Sequence, residues 1–124
     1  MTQSRILLVG RDPDFVIIYG RVLQYAGHAV TVARDPDQVV EIAAAARPDV
    51  VVVELPTPTA SGRPVTESLR ADARTADLRV LGITAGVTER ELARARRAGA
   101  TRVLPMPVAP MAVVAEVDTV LAAS

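Results

Sequence analysis

Cysteine, lysine and tryptophan are absent from this 124-residue sequence, and histidine and phenylalanine each occur once. Without cysteine there is no disulfide framework and no thiolate metal site, and His28 alone cannot supply the ligand set that zinc needs. All 14 cationic residues are arginine, which excludes a P-loop phosphate lysine, a Schiff-base mechanism and a lysine general base together. The acidic residues balance them to a formal net charge of zero, so the long-range attraction on which nucleic-acid and anionic-membrane binders rely is missing. Phe15, Tyr19 and Tyr25 offer little surface for base stacking, and no nucleic-acid role is expected. Apolar runs such as 50–53 and 112–117 fall well short of the ~20 residues of a membrane helix, and the first residues lack the apolar core of a signal peptide. The expected compartment is the cytoplasm, with no metal and no cofactor.

What is present is a globular composition, 50% apolar and 23% charged, in a length that suits one domain over residues 1–124. Short apolar runs alternate with amphipathic stretches of helical length, the pattern of repeated βα units feeding a parallel sheet. The first predicted strand is Ile6 to Val9. Asp12-Pro13-Asp14 then supplies an N-cap, a first-turn proline and an acid near the positive helix end, opening a helix to about Ala26. Gly27 stops it, Ala29 to Ala33 forms a second strand, and a second Asp-Pro-Asp at 35–37 opens a helix through Ala46. Val50 to Val53 is apolar on both faces, as a strand covered by helices on each side must be. Residues 55–62 read as loop, and Pro64 to about Ala73 as helix. Leu78 to Thr84 is the fourth strand. Thr88 with Glu91 fits a capping box for a helix ending at Gly99, Arg102 to Leu104 is a short fifth strand, and Pro110 to Ala122 is the last helix. No glycine-rich phosphate loop follows the first strand, where the sequence reads VGRDPDF, so nucleotide or flavin binding is disfavoured.

The segments ILLVGRDPDF at 6–15, PDVVVVELPTPTASG at 48–62, VLGITAG at 80–86 and GATRVLPMP at 99–107, in this order and spacing, resemble the receiver (CheY-like) domain of response regulators over almost the whole chain. The resemblance implies an α/β fold: a doubly wound five-stranded parallel sheet of order 2-1-3-4-5 flanked by five helices, with its site at the carboxyl ends of the strands. It also implies a degenerate phosphorylation pocket. The family's Mg²⁺-holding acidic pair corresponds to Gly10 and Arg11, and Asp12, one step further on, reads as the helix N-cap. The phosphate-accepting aspartate corresponds to Glu54 and the phosphate-binding lysine to Met106, followed by Pro107 with the family's cis bond. Thr84 retains the hydroxyl position, whereas the aromatic residue that rotates with it is replaced by Val103.

A family-type pocket of several carboxylates needs a cation to offset their repulsion. Glu54 facing Arg11 beside an apolar Met106 approaches neutrality without one, so a bidentate Arg11–Glu54 ion pair is expected in place of Mg²⁺. The expected function is therefore a non-enzymatic pseudo-receiver acting through protein contacts. The alternative is a working phosphorelay receiver accepting a phosphoryl group from a histidine kinase at a non-standard site. Helix one is expected to bury Phe15, Ile18, Tyr19, Val22, Leu23 and Ala26. Val16, Ile17 and Tyr25 then point outward as a partner surface, with Gly20 admitting a close partner backbone. Arg90, Arg94 and Arg97 align on one outer face of the fourth helix, on the side formed with the fifth strand and last helix, through which receivers often pair. A homodimer through that side or through helix one is expected, and His28 is assigned no role.

Overall fold

The apolar runs pair as parallel strands. In the computed structural model, which describes residues 3–85 and 88–123, they are β1 (Arg5–Val9), β2 (Ala29–Ala33), β3 (Val50–Leu55), β4 (Val80–Thr84) and β5 (Arg102–Pro105). They form one five-stranded sheet in the order β2-β1-β3-β4-β5, as the resemblance implied. Residue 86, the last of the 80–86 motif, lies outside the described residues. The helices are α1 (Pro13–Tyr25), α2 (Val39–Ala46), α3 (Val65–Ala71), α4 (Glu89–Arg97) and α5 (Pro110–Ala122).

Successive side chains of a strand face opposite sides of the sheet, and β3 divides its valines accordingly. Val50 and Val52 join Ile6, Leu8, Phe15, Leu23, Leu81 and Val117 in the core under α1 and α5. Val51 and Val53 join Leu7, Val9, Val39, Val65, Leu69 and Val80 in the core under α2 and α3. All four valines are fully buried, which is why the run is unbroken rather than alternating. Parallel register sets Ile6 opposite Val50 and Leu55 opposite Thr84, so the carboxyl ends of β1, β3 and β4 converge on one edge.

Helix starts follow their caps. The Asp12 carboxylate accepts from the Asp14 N–H at 2.9 Å, and the Thr88 hydroxyl accepts from the Glu91 N–H at 3.1 Å. The second Asp-Pro-Asp opens differently from the sequence expectation: Asp35 caps Asp37 at 3.0 Å, but the turn that follows, Pro36–Gln38, is a 3-10 helix and the α-helix begins at Val39. A tight first turn satisfies the leading N–H groups with the same capping chemistry.

The packed face of α1 differs from the one expected. Phe15, Gly20 and Leu23 are buried and Val16 packs against the core, whereas Ile18 is 50% exposed and Ala26 is exposed. Gly20 faces inward, and a Cβ there would lie 3.5 Å from Leu8 Cδ2. Gly20 therefore packs toward β1 with room for an ordinary Cβ contact and does not admit a partner backbone, so Val16 and Gly20 drop out of the outward surface. Ile17, Ile18 and Tyr25 remain on it, at 48%, 50% and 93% exposure.

Candidate functional site

Glu54 is the last but one residue of β3 and sits opposite Ile83, with its side chain half-buried beside the start of α1. Its Oε1 accepts two backbone hydrogen bonds, from Arg11 N–H at 2.9 Å and from Asp12 N–H at 3.2 Å. These amides immediately precede the first turn of α1, where N–H groups lack helical partners and the helix dipole favours negative charge. The anticipated Arg11–Glu54 ion pair is therefore replaced by a different neutralisation. Among the described residues Arg11 makes no ion pair with Glu54; it contributes its amide, and its carbonyl accepts from Arg34 Nη2 at 3.2 Å.

The surroundings hold this arrangement closed. A Cβ added at Gly10 would meet Phe15 Cδ1 at 2.7 Å and Glu54 Oε1 at 3.3 Å. Phe15 has little freedom to yield, because its ring packs edge-on against Tyr19 with centroids 4.9 Å apart, and the Tyr19 hydroxyl donates to the Val108 carbonyl at 2.8 Å. Burial pushes the Tyr19 hydroxyl pKa up, so the donor keeps its proton over the whole neutral range. Behind Glu54, the buried Thr57 hydroxyl donates to the Glu54 carbonyl and fixes the turn after β3.

The structure brings Gly10, Arg11, Asp12 and Glu54 together. Thr84 is buried at the end of β4, and its carbonyl accepts from Met106 N–H at 2.7 Å. The Met106–Pro107 bond is cis. Met106 is half-buried against the α1/α5 core, and Val103 packs into the opposite core. Arg90, Arg94 and Arg97 are exposed on α4, at a distance from this pocket along the chain and on another element. His28, given no role as a surface residue, has a side chain only 10% exposed, with Nε2 3.6 Å from Asp118 Oδ1 on α5.

Sequence reasoning missed Thr57, Thr66 and Arg70. Arg70 donates to the carbonyls of Gly99 at 2.9 Å, Ala76 at 2.7 Å and Leu78 at 2.5 Å, tying the end of α3 to the turns before β4 and β5. An arginine next to Leu69 on a short amphipathic helix gave no side-chain signal for carbonyl partners so far along the chain.

The model of the response regulator receiver domain family matches residues 6–118. This chain belongs to that family. PilH of Pseudomonas aeruginosa is 29% identical over 120 residues, covering 97% of this chain and 99% of PilH. The response regulator MprA of Mycolicibacterium vanbaalenii is 33% identical over 105 residues, covering 85% of this chain and 45% of MprA, so the chain spans less than half of that relative. A response regulator structure from Desulfuromonas acetoxidans superposes with a TM-score of 0.88 at 23% identity, covering 96% of this chain and 97% of the other.

Receiver domains of the kind the sequence resembles hold Mg²⁺ with an acidic pair after the first strand, and the residues of this receiver do not fit that ion. The pair's positions are Gly10, where Phe15 occupies the space a side chain would take, and Arg11. The carboxylate left at the site, Glu54, already accepts two amide hydrogens through Oε1. Hard divalent cations need several oxygen ligands, and no cluster of acidic residues suited to a metal occurs among the described residues. No helix described in this receiver is long and apolar enough to cross a membrane.

Proposed function

We propose that this response regulator receiver works as a cytoplasmic pseudo-receiver, held in one conformation and signalling through protein contacts without Mg²⁺-dependent aspartyl phosphorylation or other catalysis. The observation that carries the reading is the Glu54 carboxylate, which is bound by the Arg11 and Asp12 amides. It fills with an internal anion the place at the α1 N-terminus that an incoming phosphoryl group would otherwise compete for. Met106 offers no cation to such a group, and Val103 is too small to act as a swinging aromatic reporter. Asp12, the candidate displaced acceptor, is engaged in capping Asp14, which argues against that role. Similarity to PilH and to the response regulator MprA supports a place in two-component signalling. Candidate contact surfaces are the outward α1 residues Ile17, Ile18 and Tyr25 and the α4 arginines Arg90, Arg94 and Arg97, either for a partner protein or for a second copy.

Adding Mg²⁺ with beryllofluoride, and separately with acetyl phosphate, while following amide NMR shifts tests the reading. The expected result is no saturable change at Glu54 or Thr84. Saturable shifts clustered on those two residues establish a working phosphorylation site and sink the proposal.

A further inference from the structure

We infer that the cleft between α3 and α4 is a binding site for a small apolar carboxylic acid, distinct from the Glu54 pocket and independent of whether Glu54 accepts phosphate. The cleft has a volume of about 270 Å³ and is lined by Leu55, Pro56, Pro64, Ala95 and Ala98, together with Thr66, Thr84, Glu91 and Arg94. Its surface is predominantly apolar, the character of ligand sites in which a few polar groups fix orientation.

Two features separate it from a packing fault. Thr66 is completely buried, and its hydroxyl has no hydrogen-bond partner among the described residues. Leaving such a group unpaired is unfavourable, and a ligand oxygen beside it would remove the penalty. Next, α4 carries four arginines, Arg90, Arg94, Arg96 and Arg97, against Glu89 and Glu91, so the helix forming one wall is net cationic. Arg94 lines the cleft and makes no ion pair among the described residues. A guanidinium there recognises a carboxylate, while the proline and alanine walls accept a hydrocarbon chain. The same α4 has no fully buried residue, so it can shift slightly as the cleft fills. Because Thr84 lines the cleft, the acid would be held against the end of β4.

Octanoate is the probe and 1-octanol its uncharged counterpart, titrated into the whole chain with amide NMR detection. Octanoate is expected to give saturable shifts centred on Leu55, Thr66, Thr84 and Ala95. Octanol is expected to bind roughly tenfold more weakly, and Arg94→Ala to bring octanoate to a similar level, the size of a lost charged hydrogen bond. Ala98→Phe, which fills the cleft, abolishes the shifts. Thr66→Val guards against a misfolded filler: it is expected to raise the unfolding midpoint of the free protein, by removing the unpaired hydroxyl, yet to weaken octanoate several-fold. Absence of saturable shifts, shifts centred instead on Ile17, Ile18 and Tyr25, or binding untouched by both Ala98→Phe and Thr66→Val overturns the inference.

Discussion

At Glu54 the decisive partner is backbone, and that changes what each neighbouring side chain is worth. The two amides at Arg11 and Asp12 depend on the Glu54 oxygen, whereas the Arg11 side chain is exposed. Arg11→Ala is therefore expected to alter unfolding free energy by no more than about 0.5 kcal/mol, the ordinary range for surface changes. Glu54→Ala removes the acceptor and is expected to cost about 1–3 kcal/mol, discounted toward the lower figure because the site is only half-buried. Urea denaturation of both variants checks this; equal losses would restore the guanidinium to the account. The altered pocket was legible in the sequence because missing residue types are visible there: no lysine at 106, no acid at 10 or 11. Which atoms neutralise Glu54 was not legible from side-chain identity. The signal lay in Asp12-Pro13, which marks a helix start and hence free N–H groups, and in Gly10, whose lack of a Cβ leaves room for Phe15 to close over the site.

Among the elements, helix boundaries followed chemistry that is local, and helix faces did not. Side-chain caps at Asp12 and Thr88 and a proline at the first helical position, Pro110, place the starts of α1, α4 and α5 where a sequence reader puts them. The face of α1 escaped because residues 15–19 are apolar without interruption, so periodicity cannot choose between Val16 and Ile18; tertiary packing of Phe15, Val16 and Leu23 against the sheet makes the choice. A second cross-element tie that is invisible in sequence joins α2 to the turn after α3. Arg74 contacts Glu41 at 2.6 Å and Asp72 at 2.9 Å. The Arg74 side-chain hydrogen bond holds the Asp72 carboxyl down to about 2, from an ordinary value of 3.8, and lowers Glu41 likewise. A depressed folded-state pKa stabilises the fold above the unfolded value and is lost as pH falls through the folded one. Wild type is thus expected to exceed Arg74→Ala in thermal midpoint at neutral pH, by a small margin because Glu41 and Arg74 are solvent-exposed and Asp72 is only partly buried. That margin should shrink from about pH 4 and disappear only below about pH 2; a margin constant across this range would show that Arg74 acts through packing instead of charge.

For the molecule as a whole, burial is uneven in a way that decides which element opens most readily. The sheet is enclosed by two cores that share β3, and α5 sends Val113, Val114, Val117 and Val120 into one of them. By contrast α4 buries none of its residues fully and is braced chiefly at its ends, by the Thr88 cap and by the Gly99 carbonyl that Arg70 holds. Local opening follows the shortage of buried apolar contacts, so α4 is expected to be the least protected of the five helices in native-state hydrogen exchange. Amides of α1, α5 and β3 should exchange only at the free energy of global unfolding, while those of Leu92 to Arg97 exchange through a cheaper local opening whose cost is insensitive to low urea. Arg70→Ala is expected to increase exchange in α4 and in the turn before β4 more than it shifts the global urea midpoint, because it releases the Gly99, Ala76 and Leu78 carbonyls while removing no apolar side chain from either core. If α4 and α5 instead show the same protection, α4 moves only with the rest of the fold, and a ligand or partner at its surface has no separate element to bias.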